Sequence, residues 1–311
     1  VGEMSSTKPE HCQQYASLDN SKLSMAFNFH HLKVDYVNGE KWTLAKADFV
    51  ALKKLFADWQ QGMYQRANGA LFWGNHDQPR VVSRFGNDST QYREISAKML
   101  ALVLYGMQGT PYLYQGEEIG MTNAGFTDIH QYRDVESLTM FDLLLSGGKS
   151  LQETLAILAS KSRDNSRTPM QWDNSRHAGF TPGTPWINCV ANSSEINVAD
   201  ALADQQSIVY TYRELIRLRK QLTILQFGDY QDLCPAHPEL WSYCRRWQGQ
   251  QLLVVANLSD QLIDWQPPAA PGAGDYQLII TNADTTPASP GPCQLSPYQA
   301  AWWLFTPLQN H

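Results

Sequence analysis

The 311-residue chain can form one large domain or two and can bury a substantial core. Its formal charge of -6, with no basic run, argues against nucleic acid or an anionic membrane surface as a partner. No uninterrupted apolar stretch approaches the ~20 residues that span a bilayer. Five cysteines, Cys12, Cys189, Cys234, Cys244 and Cys293, are scattered without disulfide or metal-ligand spacing, which suits reduced thiols in a cytoplasmic protein. The chain is rich in aromatics, with 10 Trp, 14 Tyr and 11 Phe; such side chains stack on sugars but more often form core.

Along the chain, residues 24–29 are a weak strand candidate. Phe49, Leu52, Phe56, Trp59 and Met63 then recur at helical spacing behind Asp48, a residue suited to an N-cap. Residues 70–73 read as a short buried strand that ends abruptly in Asn75, His76 and Asp77. Ligands of α/β folds sit at such carboxyl ends, although a plain polar turn capped by Asp77 fits the spacing equally well. A helix is expected over residues 94–105, on a face of Ile95, Met99, Leu102 and Val103. A strand follows over 110–114, with Pro111 tolerable only near its start. Ile208, Tyr212, Leu215, Ile216 and Leu222 mark a last helix. Strands alternating with helices predict parallel βα units.

Between the last such strand and helix lie roughly eighty residues, about 116 to 198, far beyond a βα loop of about 2–6 residues. Helical runs at 134–145 and 151–160 predict an elaborated insertion. From Thr223 the texture changes. Strand-like runs at 225–230, 240–247, 251–258, 276–280 and 300–305 are separated by stretches rich in Pro and Gly, at 267–274 and 287–292.

Residues 71–80, Leu-Phe-Trp-Gly-Asn-His-Asp-Gln-Pro-Arg, resemble the strand-seven motif of the α-amylase superfamily of glycoside hydrolases, and Val1-Gly2-Glu3-Met4 resembles its strand-five motif. Residues 109–120 and 163–172 are similar to the branch that holds oligo-1,6-glucosidases and trehalose-6-phosphate hydrolases. The resemblance implies an α/β fold: the C-terminal half of a (β/α)8 TIM barrel over residues 1–222, with the insertion at about 116–197, followed by a small antiparallel β-sandwich over 223–311. It implies Glu3 as general acid/base and Asp77 as the carboxylate that steadies the transition state. His76, Arg80 and Arg163 are implied as substrate-binding, Arg163 toward the leaving group; for Arg167 a solvated or structural role fits at least as well. Glu117 and Glu118 resemble structural residues that close a loop. The first four βα units and the strand-four aspartate nucleophile have no counterpart, so a C-terminal fragment, inactive alone, is expected. Members of this branch often carry a metal site in an early barrel loop, which has no counterpart here, so no metal is assigned, and no cofactor is expected.

Hydrolysis with retention needs two carboxyls about 5–5.5 Å apart, one holding a proton near neutral pH. The substrate hinges on residues 27–36, Phe-Asn-Phe-His-His-Leu-Lys-Val-Asp-Tyr. Oligo-1,6-glucosidase-like sequences carry acidic residues where this chain has His30 and Lys33. Cationic and imidazole donors suit a phosphate dianion, which acidic groups repel; a solvated surface Lys beside a His pair is the plain alternative. Lys33, with His30 or His31, therefore points to a phosphorylated sugar; the stretch resembles that of trehalose-6-phosphate hydrolases, which implies trehalose 6-phosphate, hydrolysed to glucose and glucose 6-phosphate. Two alternatives are an oligo-1,6-glucosidase acting on neutral sugars and a non-catalytic, transporter-associated relative. The second is disfavoured because Glu3 and Asp77 are kept.

Overall fold

The computed structural model describes residues 1–19 and 22–308. Four parallel strands, β1 (Gly2–Glu3), β2 (Ala26–Phe27), β3 (Ala70–Leu71) and β4 (Thr110–Pro111), lie side by side in chain order. Gly2 pairs with Ala26, Ala26 bridges to Gly69, and Ala70 pairs with Thr110. Helix α1 (Pro9–Tyr15) follows β1, α2 (Phe49–Met63) follows β2, and α3 (Val81–Phe85) with α4 (Arg93–Tyr105) follows β3. This is half of a (β/α)8 barrel. Helix α2 forms where its pattern predicts: Asp48 caps it by accepting from the Ala51 amide at 2.9 Å, and Leu52, Phe56, Trp59 and Met63 are buried.

The insertion after β4 carries α5 (Val135–Ser146), α6 (Leu151–Lys161) and α7 (Val198–Ala203), and α8 (Ile208–Gln221) returns to the barrel wall. Residues 225–230, expected as a strand, instead open in a helical turn, α9 (Ile224–Phe227), ended by Gly228. A short apolar run does not distinguish helix from strand by itself; here the helical turn puts both Ile224 and Leu225 into the core.

The remainder is antiparallel β. Strands β5 (Gln231–Asp232), β6 (Leu240–Trp247), β7 (Gln250–Asn257), β8 (Ile263–Trp265), β9 (Gly274–Thr281), β10 (Cys293–Leu295) and β11 (Ala300–Pro307) form a five-stranded sheet, β5-β6-β7-β11-β9, and a separate β10-β8 pair. The pair packs Ile263, Trp265 and Leu295 against Leu253, Val255 and Trp303 of the sheet. Gln248 and Gly249, with φ of 48° and 80°, make the two-residue turn between β6 and β7. Among the described residues no helix is long and apolar enough to cross a membrane.

One core joins the two parts. Helix α4 is buried from Met99 to Tyr105 on all sides, because the sheet covers the face that the barrel leaves open. The last four carbonyls of a helix lack partners within it, and here side chains from elsewhere supply them. Trp302 Nε1 donates to the Leu102 carbonyl at 3.1 Å, the Tyr243 hydroxyl to Val103 at 2.7 Å, and Arg219 to Tyr105 at 2.6 Å. Arg245 adds a bond to the Gly106 carbonyl at 2.7 Å. The two guanidiniums, that of Arg245 buried and that of Arg219 half-buried, also complement the negative end of the helix dipole. The approach is so close that a Cβ on Gly106 would lie 2.2 Å from the Tyr243 hydroxyl. Across the same junction the fully buried Lys53 ammonium donates to the carbonyls of Cys234, His237 and Leu240 at 2.5–2.8 Å.

His31 also belongs to this packing rather than to a solvent-facing site. Its ring lies 5.5 Å from Phe56 and edge-on to Phe72 at 4.7 Å, and Nε2 has no hydrogen-bond partner. Burial, followed by the Arg84 charge, lowers its pKa to about 3.

Two outcomes follow from this core. Trp302→Ala should cost about 3–5 kcal/mol in urea unfolding and Tyr243→Phe about 1–2 kcal/mol, within a single cooperative transition; a sheet that unfolds apart from α4 would contradict the shared core. The depressed pKa of His31 means that the unfolded chain binds a proton first, so stability falls as pH drops from about 6.5 toward 3. Between pH 7 and pH 5 this group alone should remove about 2 kcal/mol. Urea titrations at both pH values should show that loss in the parent and not in His31→Gln.

Candidate active site

A cavity of about 210 Å³ opens at the carboxyl ends of the four parallel strands, and each strand contributes to it. Glu3 comes from β1, Phe27 and Phe29 from β2, Phe72, Asn75 and His76 from β3, and Tyr112 and Tyr114 from β4. The inward rings form an aromatic floor: Phe27 sits 5.2 Å from Phe72 and 4.5 Å from Tyr112, both edge-on. Glu3 is exposed at the rim and is the only carboxylate of the lining. Among the described residues no second carboxyl, which retention requires, lines the cavity with Glu3.

Asp77 stands beside the cavity in a turn set by its own amide, which donates to Asn75 Oδ1 at 2.8 Å. Its carboxylate is gripped from the insertion: Arg167 Nη2 donates to Oδ1 at 2.6 Å, and Arg163 Nη1 approaches at 3.5 Å. Arg167 also donates through Nε to the His76 carbonyl at 3.0 Å, and His76 Nε2 lies 3.5 Å from Asp77 Oδ2. Behind the arginines, Asp134 accepts from Arg163 at 2.6 and 3.2 Å while capping α5. Burial pushes Asp134 toward protonation, but the Arg163 hydrogen bonds and charge outweigh it and hold the carboxyl below its ordinary value. The same pairing raises Arg163. Glu136 adds contacts to Arg163 at 3.2 Å and to Lys41 at 2.9 Å. Two guanidiniums are thus suspended between Asp77 and an acidic pair on α5.

Two residues expected to bind substrate do not face this cavity. Arg80 is 2% exposed, and its guanidinium donates to the carbonyls of Gln115 at 2.6 Å and Asn165 at 3.1 Å, tying the loop after β4 to the insertion. Its donors are used in structure. His31, 4% exposed, is core. His30 keeps a polar role, with Nε2 2.6 Å from the Thr7 carbonyl and its ring 5.8 Å from Trp59. Lys33 ends the 3₁₀ turn His30–Lys33, exposed, outside the cavity lining and, among the described residues, without an ion pair. Arg167 is the residue undervalued from sequence; its four-residue spacing from Arg163 is the signal that both side chains can reach one partner. Glu118 accepts from the Gly116 amide at 2.7 Å, and burial raises the carboxyl of Glu117 well above its ordinary value. Among the described residues no group of three His, Cys, Asp or Glu is placed to hold a metal ion.

With this geometry in place, the comparisons with known proteins agree. The model of the α-amylase catalytic domain matches residues 1–228. The trehalose-6-phosphate hydrolase of Escherichia coli (strain K12) is 63% identical over 306 residues, covering 98% of this chain and 55% of the relative. An oligo-1,6-glucosidase of Halalkalibacterium halodurans is 43% identical over 305 residues, covering 98% and 54%. The crystal structure of Bacillus licheniformis trehalose-6-phosphate hydrolase superposes with a TM-score of 0.95 at 47% identity, covering 98% of this chain and 55% of that one. The chain therefore spans about half the length of the relatives it matches. On the family match over most of its length and on the strand-end site that the fold assembles, the chain belongs to the α-amylase family of glycoside hydrolases.

Proposed function

We propose that these residues form part of a retaining α-glucoside hydrolase that cleaves trehalose 6-phosphate to glucose and glucose 6-phosphate, in the cytoplasm. Residues 1–222 supply the barrel part and residues 223–311 the β part. The observation that carries the substrate is Lys33: a cation that, among the described residues, has no ion pair, four residues beyond the cavity-lining Phe29, where a neutral sugar needs none. The names of the similar proteins, a trehalose-6-phosphate hydrolase at 63% identity ahead of an oligo-1,6-glucosidase at 43%, support the same choice.

In this scheme Glu3 gives its proton to the glycosidic oxygen as that bond breaks, and afterwards accepts one from the attacking water. Asp77, fixed by Arg167 and Arg163, accepts hydrogen bonds from the glucosyl hydroxyls and opposes the positive charge that develops on the ring. His76 flanks the same sugar. The rings of Phe27, Phe72 and Tyr112 exclude water beneath it. Lys33 and His30 meet the phosphate of the departing glucose 6-phosphate. The nucleophilic carboxylate has to be delivered about 5–5.5 Å from Glu3 by residues outside this cavity lining.

In the complete enzyme, Lys33→Ala should raise KM for trehalose 6-phosphate about tenfold to a hundredfold, the worth of one charge-assisted bond. Turnover of 4-nitrophenyl α-glucoside should stay unchanged. Equal losses on both substrates would move the assignment to a neutral-sugar α-glucosidase. The 311-residue chain by itself should show no release of nitrophenol above background, since Glu3 has no carboxylate partner in the cavity; turnover with retained stereochemistry would refute the division of roles.

A further inference from the structure

The turn that carries His30 and Lys33 is held mainly from below, by one buried carboxylate. Asp35 is 3% exposed and receives two cations. Arg84 meets it in a fork, Nε to Oδ2 at 3.0 Å and Nη2 to Oδ1 at 2.6 Å, and the Lys161 ammonium lies 2.6 Å from Oδ2. These groups come from three separate segments: Asp35 from the loop after β2, Arg84 from α3 after β3, and Lys161 from the last turn of α6 in the insertion. Arg84 uses its other donors on the two loops of the site. Nη2 donates to the Leu32 carbonyl, just before Lys33, at 2.6 Å, and Nη1 to Gln78 Oε1, just after Asp77, at 2.6 Å.

We propose that Asp35 is a positioning residue for the leaving-group side of the site, and that through Arg84 and Lys161 it fixes where Lys33 can stand. The inference rests on Lys33 meeting a phosphate. Burying three charges costs more than an apolar cluster of the same volume, so packing alone gives no reason for this arrangement. Geometry does: a single guanidinium bonds to the Lys33 turn and to the residue after Asp77, while the carboxylate holds that guanidinium in a fork. The charge state fits. Burial would raise the Asp35 pKa, but the hydrogen bonds and charge of Arg84, then those of Lys161, hold it below its ordinary value. The glucosyl side is protected from a loss here, since Asp77 has its own grip from Arg167 and Arg163.

The test compares Asp35→Asn and Lys161→Met in the complete enzyme, with Lys33→Ala as reference, on trehalose 6-phosphate and 4-nitrophenyl α-glucoside. Asp35→Asn keeps the shape and removes the charge. Lys161→Met leaves the Asp35–Arg84 fork intact and decides the question if Asp35→Asn does not fold. We expect KM for trehalose 6-phosphate to rise about tenfold in Asp35→Asn and about threefold in Lys161→Met, with kcat on both substrates and KM for the aryl glucoside within about twofold. Parallel losses on both substrates would reduce Asp35 to a stability element and overturn the inference. If Lys33→Ala is selective and the other two are not, the phosphate assignment stands and the positioning role falls. If Lys33→Ala is not selective, both fall.

Discussion

Parallel pairing over only two residues per strand is the constraint on which the rest of this molecule depends. Such a ladder contributes few hydrogen bonds, and its strands are flanked by helices and by the barrel floor. Glu3, Asn75 and His76 lie together at the carboxyl ends of these strands, where ligands of α/β barrels sit. The shortness of the strands also shifts the task of holding the site to long-range ties between loops.

Those ties are made by arginine, used in two ways. Arg80, Arg219 and Arg245 donate to backbone carbonyls that the fold leaves unpaired, at the turn after β4 and at the end of α4. Burial lowers each pKa to about 10, which leaves the side chains charged at neutral pH. Arg84, Arg163 and Arg167 donate to carboxylates, and these three touch the functional loops. The planar fork explains the division: it can bridge two acceptors in fixed directions, which a lysine ammonium cannot. Lys53 shows the complementary case, three carbonyls converging on one compact cation.

What could be read in the sequence followed period and length. Helices α2, α4 and α8 and strands β6, β7, β9 and β11 run eight residues or more and show up as pattern. The three-residue strands β8 and β10 are too short to leave a period, and α1 and α3 occupy stretches with no clear apolar face. In the site, Glu3 and Asn75-His76-Asp77 are visible because a contiguous motif carries them. The partners of Asp77 lie 86 and 90 residues away, and only the folded insertion brings them in. Arg80 and His31 misled for one reason. Neighbours in sequence share a loop but not a direction, and a step of one to three residues turned Arg80 under the loop and His31 into the core, while His30 and His76 kept polar surroundings.

Net charge is no guide to the substrate proposed for this chain. A charge of -6 spread over 311 residues is screened beyond a Debye length of about 8 Å, so an incoming phosphate responds to the few groups nearest it. What counts is whether a nearby cation is already committed. Arg163 and Arg167 are neutralised by Asp77, Asp134 and Glu136, and Lys41 by Glu136. Lys161 and Arg84 are satisfied by Asp35. Among the described residues Lys33 has no such partner, and it stands on the turn whose Leu32 carbonyl accepts from Arg84. An unpaired charge has weak orientation of its own, so its selectivity for an anion depends on the rigidity of its backbone. On the role proposed for it, the buried ion cluster beneath the turn limits where this surface lysine can stand.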